Sequence, residues 1–414
     1  PHFEKMLYDN ALLPPVYAEA YQITKDPFFL DVVTKTLDYV LREMTSSSGL
    51  FYSAQDADTN GEEGQTYVWK KREIESIIGD DSEIYSIFYD VTDGGNFEGN
   101  TILANNINIS SLAFKFSKTE DEVKELLKRS SEKLLDVRNK RDQPGTDDKI
   151  ITSWNSMMIT AFAKGYRISG NEKYRNAAVN AAKYFSAQFS KHGFIHRTFK
   201  NDVPKLNGYL DDYAYLANSL VDVFEITSDV YFLEMAQKIA NYMIEHFWNE
   251  DEKSFFFTAD NHESLIVRPK NYYDLSVPSG NSVASNALLK LYHLTHDEKL
   301  LKISEKILES NGTSAAENPF AFGYLLNVMN LYLNSPTEIT IVNTENSEIV
   351  NSLYKKFIPE GIIIPIDDNE KMTSLLKYPF FEGKEFSDKT SVTICKNFSC
   401  SLPMSELEQI EENL

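Results

Sequence analysis

Asp211 and Asp212 stand side by side in Gly208-Tyr-Leu-Asp-Asp-Tyr213, at the start of a helical segment, and are the residues of this 414-residue chain best placed to move a proton. One carboxylate suffices to cap a helix, where the macrodipole favours it by a few tenths to about 1 kcal/mol. The other is then available as a general acid or base. A second acidic group, Asp147-Asp148-Lys149, runs through Ile-Ile-Thr-Ser into Trp154-Asn155. Carboxylates, an amine, an indole and an amide in so short a stretch offer the stacking face and hydrogen bonds that a sugar ring requires. The same residues also read as a helix cap, with Trp154 in the core. Asp212 and Asp148, with Asp211 beside them, are the acid/base residues this suggests, because glycoside hydrolysis sets two carboxyl groups about 5 to 9.5 Å apart across a bond.

Further polar residues extend the site. Val277-Pro-Ser-Gly-Asn281 is a constrained turn that would aim Asn281 at a ligand. Arg268 would hold a carboxylate, a phosphate or an acidic partner residue, or form an ordinary surface ion pair. Asp56, Asp58 and Glu63 lie in the oxygen-rich stretch Gln55–Gly64, which reads as a solvated acidic turn or a calcium loop; its spacing is not that of an EF-hand, and no metal site is assigned. Histidine, the usual base for epimerisation, is poorly placed: His192, His196, His246, His293 and His296 flank predicted hairpins or helix ends, and only His2 precedes a repeat helix.

Four copies of one hexapeptide position these groups: Tyr21-Gln-Ile-Thr-Lys-Asp26, Tyr166-Arg-Ile-Ser-Gly-Asn171, Phe224-Glu-Ile-Thr-Ser-Asp229 and Tyr292-His-Leu-Thr-His-Asp297. Each closes one helix and opens the next, with Asp or Asn as N-cap. Eleven residues before each aromatic, across roughly 16 Å of helix, stand Asn10, Asn155, Tyr213 and Asn281. Repeats that bury little alone must stack on their neighbours. The regularity predicts an all-α chain, an α/α toroid of about six hairpins with its chemistry at the rim where Asn10, Asn155, Tyr213 and Asn281 lie.

Helical patterns are expected at 7–43 (two helices joined at Asp26-Pro27), 70–79, 82–89, 118–139, 153–169, 172–189, 211–227, 230–247, 280–295, 297–309 and 319–334. Between the pairs, Gly193–Arg197 and Ser254–Thr258 read as short β-hairpins. After Pro336 the pattern changes to β-rich runs at 338–342, 361–366 and 391–395 around a helical segment near 347–357. Two parts follow: a toroid over residues 1–335 and a small C-terminal α/β appendix over 336–414.

A net charge of −21 argues against nucleic acid and anionic membrane surfaces as partners, since both need clustered Lys and Arg. No run approaches the ~20 apolar residues of a membrane span and no signal peptide is evident, so a cytoplasmic location is expected. Cys395 and Cys400 match neither a Cys-x-x-Cys pair nor a zinc knuckle, and read as reduced thiols or as a redox-responsive pair. Walker, Gly-x-Ser-x-Gly and dinucleotide fingerprints are absent, and no cofactor is predicted.

The motifs in order, Pro1-His-Phe-Glu-Lys-Met-Leu-Tyr-Asp9-Asn10, Tyr52–Asp58, Glu62-Glu63-Gly64 with Tyr67-Val-Trp69, Asn96–Gly99, Asp148-Lys149 with Trp154-Asn155, Leu210–Tyr213, Pro278–Ser282 and Cys395 with Cys400, resemble the YyaL / spermatogenesis-associated protein 20 family. The resemblance implies a six-hairpin glycosidase-like toroid, similar to N-acylglucosamine 2-epimerases, behind an upstream thioredoxin-like domain that this chain, with its abrupt start, would lack. It implies a site of Asp9, Asn10, Asp56, Asp58, Glu63, Asp148, Trp154, Asn155, Asp211, Asp212, Tyr213 and Asn281, although the epimerase histidine pattern is not recognisable. The expected function is a carbohydrate-active isomerase or hydrolase that binds a small sugar in the toroid mouth. The alternative is a non-catalytic ligand-binding or scaffold module serving the thioredoxin-like domain.

Overall fold

Each hexapeptide closes a set of local hydrogen bonds that makes a helical hairpin. In the computed structural model, which describes all residues except Pro1, Asp202, Ser264, Leu265 and Phe398, the fifth residue of every copy (Lys25, Gly170, Ser228, His296) takes the left-handed conformation. Its N–H bonds the carbonyl of the leading aromatic residue, Tyr21, Tyr166, Phe224 or Tyr292. The Ser/Thr hydroxyl donates one turn back and accepts the N–H of the final Asp/Asn. That Asp/Asn then caps the next helix by accepting from its second amide, at 2.9 to 3.1 Å.

The helices are α1 (Leu7–Thr24), α2 (Pro27–Glu43), α3 (Lys71–Ile78), α4 (Ser82–Phe88), α5 (Ile109–Lys115), α6 (Glu120–Arg138), α7 (Thr152–Ser169), α8 (Glu172–His192), α9 (Leu210–Thr227), α10 (Val230–Phe247), α11 (Gly280–Thr295), α12 (Glu298–Glu317), α13 (Gly323–Asn334), α14 (Ser347–Lys355), α15 (Asn369–Leu375) and α16 (Leu407–Glu412). With 56% helix and 12% strand, the chain is mostly helical, as expected from the repeats, with a small C-terminal α/β part. Helix α12 runs eight residues past the expected 309, because Asn311 and Ala315 continue its buried stripe beyond Ile307 and Leu308. Helices α5 and α15 are short and were not expected.

Contacts divide the chain into two compact units. The smaller comprises the residues up to Lys5 and Ala54–Asp147. It packs Trp69, Ile74, Tyr85, Leu112, Val123 and Leu126 into its own core and holds α3 to α6. The larger comprises Met6–Ser53 and Asp148–Leu414. Within it α1, α7, α9, α11 and α13 pack side by side in that order, each of the first four backed by its hairpin partner α2, α8, α10 or α12. Helix α9 is buried on every side from Asp212 to Thr227, as a helix at the centre of such a row must be.

The C-terminal part is a mixed sheet in the order 362–366, 338–342, 391–396, 399–400, its first pair parallel and joined through α14. Its strand 362–366 packs on α9 and its helix α14 on α7. Cys395 and Cys400 face each other across the final antiparallel pair, with Cα atoms 4.0 Å apart, and are joined as a disulfide. The expectation of reduced thiols is corrected: cross-strand register, invisible in the spacing, brings the two sulfur atoms together.

Candidate functional site

The first turns of α7, α9 and α11 gather most of the expected residues of the larger unit. The eleven-back side chains hold backbone there. The amide N–H of Phe51 donates to Asn155 Oδ1 at 2.8 Å, while Asn155 Nδ2 donates to the carbonyls of Phe51 and Ile151. Asn281 repeats this with Phe255 N–H at 2.8 Å and the carbonyls of Phe255 and Asn271. Tyr213 Oη accepts from Ile195 N–H, and Asn10 Nδ2 donates to Met6 O. A primary amide carries a donor and an acceptor in the pattern of a peptide group, so Asn155 and Asn281 act as strand partners for the backbone of Phe51 and Phe255. Asn155, Asn281 and Tyr213, expected at a ligand, are all buried against protein backbone. Arg268 is likewise engaged with its own chain. Its guanidinium stacks on the Phe256 ring at 4.0 Å and donates to the carbonyls of Thr258 and His246.

The carboxylates are arranged differently. Asp212 is fully buried and accepts from Tyr209 N–H, Ser153 N–H and the Arg197 guanidinium at 2.9, 2.9 and 3.0 Å. It thus ties the first turns of α7 and α9 to the hairpin His196–Lys200/Val203–Asn207. Burial holds its carboxyl above the usual range, although the three donors around it pull the other way by stabilising the charged form. Asp211 has far less support. Burial and the adjacent Asp212 push it up to about 7, against the pull of Arg197 and one amide hydrogen bond from Gly280. Its Oδ1 is buried without a hydrogen-bond partner among the described residues. The approach to α11 is so close that a Cβ on Gly280 would lie 2.4 Å from Asp211 Oδ1.

Asp148 is half-exposed and paired with Lys200 at 2.7 Å. Trp154 is partly buried, edge-on to Tyr8 at 5.0 Å between ring centres. Asp9 is exposed in the first turn of α1. Asp56, Asp58 and Glu63 belong to the smaller unit, where Asp58 and Glu63 pair across a two-residue hairpin and Asp56 accepts from Asp58 N–H. Glu63 lines a cavity of about 870 Å³ there, together with Glu98, Asp142, Lys70 and Arg141. His2, expected beside α1, is an exposed residue of the smaller unit paired with Glu4.

Three residues at the carboxylates were not anticipated. Arg197 supports Asp212 and lies over the Tyr209 ring at 5.5 Å. Tyr209 stacks on Phe257 at 4.7 Å. His262 sits 5.7 Å from Tyr209, and burial holds its imidazole below the usual range. Nothing local in the sequence marks them. The one available signal was the Arg that ends the hairpin run Gly193–Arg197.

A family model described as the catalytic domain of GH127 β-L-arabinofuranosidase matches residues 147–313. That segment contains Asp148, Arg197, Asp211 and Asp212. Spermatogenesis-associated protein 20 from Homo sapiens is 26% identical over 98% of this chain. The chain is a homologue of spermatogenesis-associated protein 20. The match covers 57% of that relative's length. Uncharacterized protein B0495.5 of Caenorhabditis elegans is 24% identical over all of this chain and 61% of its own. Among solved structures, a D-mannose isomerase aligns with TM-score 0.41 at 15% identity, over 75% of this chain and 76% of its own. A sugar epimerase from a ruminal bacterium aligns with TM-score 0.39 at 13% identity, over the same shares. No helix among the described residues is long and apolar enough to cross a membrane.

Proposed function

We propose that this chain is a carbohydrate-active enzyme, a sugar isomerase or glycoside hydrolase, that takes a small sugar at the first turns of α7, α9 and α11. The observation that carries this reading is the contrast between neighbouring carboxyls: Asp211 is pushed up to about 7 with one oxygen unpartnered, while Asp212 is fastened by Arg197 and two amides. Two carboxyl groups whose environments differ in this way suit a proton donor beside a fixed anion. Asp211 is the proposed acid, Asp212 the anion that orders Arg197, and Asp148 the more exposed carboxylate available as base or nucleophile. Trp154 supplies the partly open aromatic face. The GH127 match over this segment supports the substrate class.

The test is a panel of aldoses, ketoses, amino sugars, uronates and arabinofuranosides, read by reducing-sugar release and by interconversion of free sugars. Turnover that Asp211→Asn lowers by about 10²- to 10⁴-fold, the usual contribution of a general acid, supports the reading. Turnover unaffected by Asp211→Asn removes the acid assignment.

A second reading is favoured by the commitment of Asn155, Asn281, Tyr213 and Arg268 to backbone, which leaves few polar groups for a ligand. The chain would then be a non-catalytic ligand-binding or scaffold module for an upstream thioredoxin-like domain. Binding of that domain, produced separately, with silence across the sugar panel would favour it.

A further inference from the structure

A buried charge network lies in the later turns of α7, α9 and α11, ten or more positions beyond the first-turn carboxylates of α9. Arg167 on α7 pairs with Glu225 on α9 at 2.8 Å. Lys290 on α11 reaches Asp222 at 3.0 Å and Glu225 at 3.4 Å. Thr160 and Asn218 complete the hydrogen bonds of Asp222. Both carboxylates are therefore satisfied, yet a third cation, Lys164, points into the same network with no hydrogen bond or ion pair among the described residues. Its position one turn before Arg167 puts the two on one helix face. Burial and the charges of Arg167 and Lys290 hold its amine below the usual range.

Lys164 lines a cavity of about 420 Å³, the size of a small-molecule site, together with Arg167, Lys290 and Tyr354 of α14. Two further groups in its wall, Arg167 Nε and the Tyr354 hydroxyl, are buried without an aligned hydrogen bond among the described residues. The guanidinium lies 5.2 Å from the centre of the Tyr354 ring without an aligned hydrogen bond to its hydroxyl. Two buried donors, Arg167 Nε and the Tyr354 hydroxyl, and the half-buried Lys164 amine thus line one cavity without an aligned acceptor among the described residues, and three cations share two carboxylates, Asp222 and Glu225. The negative ends of the helix dipoles offset part of that charge but supply no hydrogen bond to Lys164. Exposed Glu19, half-buried Glu360 and Lys356 also line the cavity. Unsatisfied buried donors at a cationic floor are costly unless an anion fills them.

We propose that this cavity is a second ligand site, for a small organic anion whose carboxylate or phosphate sits between Lys164, Arg167 and Tyr354. The site is independent of the sugar reading, because it shares no residue with the first-turn carboxylates.

The test is isothermal titration of the protein with malonate and, separately, inorganic phosphate, at ionic strength held constant with chloride. Saturable binding of either is expected, weaker by about tenfold or more in Lys164→Gln, the loss of one charge-assisted hydrogen bond. Lys164→Arg restores it, and Asp211→Asn binds like the wild type. Lys164 has no ion pair to break, so Lys164→Gln should fold. The two arms distinguish carboxylate from phosphate. No saturable binding of either anion, unchanged affinity in Lys164→Gln, or equal loss in Asp211→Asn would overturn the proposal.

Discussion

Asp211 and Asp212 differ by one position in the chain and by everything they touch. The raised Asp211 has a sign that can be followed into stability. Its folded value of about 7 exceeds the ordinary 3.8, so its contribution is fully present below the unfolded value and is lost as pH rises through about 7. The loss is at most about 4 kcal/mol for three units, and less where Arg197 compensates. Asp211→Asn should therefore leave the melting temperature unchanged at pH 4 and raise it at pH 8. A lower melting temperature at pH 8 would show that the charged form is the stabilised one. Gly280→Ala places a methyl group 2.4 Å from Asp211 Oδ1 and 2.9 Å from the Leu210 side chain. It should cost about 1–3 kcal/mol as an overpacking change, measured by denaturant unfolding.

At the scale of the element, the hairpin junction is a hydrogen-bonded unit whose weakest residue can be identified. Lys25 at φ 59° occupies the left-handed position that Gly170 fills in the next copy. Lys25→Gly should stabilise by up to about 1 kcal/mol, offset in part by the loss of its surface contact with Lys355 O. The first-turn asparagines are a second unit of this kind. Asn155→Leu strands the buried N–H and C=O of Phe51, and the expected cost is about 2–4 kcal/mol with faster hydrogen exchange at the Phe51 amide. A change in sugar binding with no change in stability would instead return Asn155 to a ligand role.

Across the larger unit, Arg167 joins three parts: Glu225 of α9, the carbonyl of Ile363 in the C-terminal sheet and the ring of Tyr354 in α14. Glu225→Gln leaves Arg167 and Lys290 short of a countercharge in a buried place, so a loss of about 3–5 kcal/mol is expected by thermal or denaturant unfolding. A double change of Arg167 and Glu225 to apolar residues should recover part of it, which separates the pair from mere packing.

The sequence by itself determined the hairpins. Val230–Phe247, Gly280–Thr295 and Glu338–Val342 end at the residues their patterns predict, because caps and left-handed turns are hydrogen bonds between groups a few positions apart. The same locality identified Asp211, Asp212 and the first-turn asparagines as special positions. It did not reveal what they do. Phe51 and Asn155 are 104 positions apart, Lys290 and Asp222 are 68 apart, and Arg197 reaches Asp212 from a separate hairpin. Only the tertiary structure decided that the asparagines hold backbone, that Asp211 is poorly compensated where Asp212 is well supported, and that Lys164 has no ion pair among the described residues. Protonation and hydrogen-bond satisfaction are set by desolvation and by neighbours brought in through packing, and neither leaves a trace in the spacing of residues along the chain.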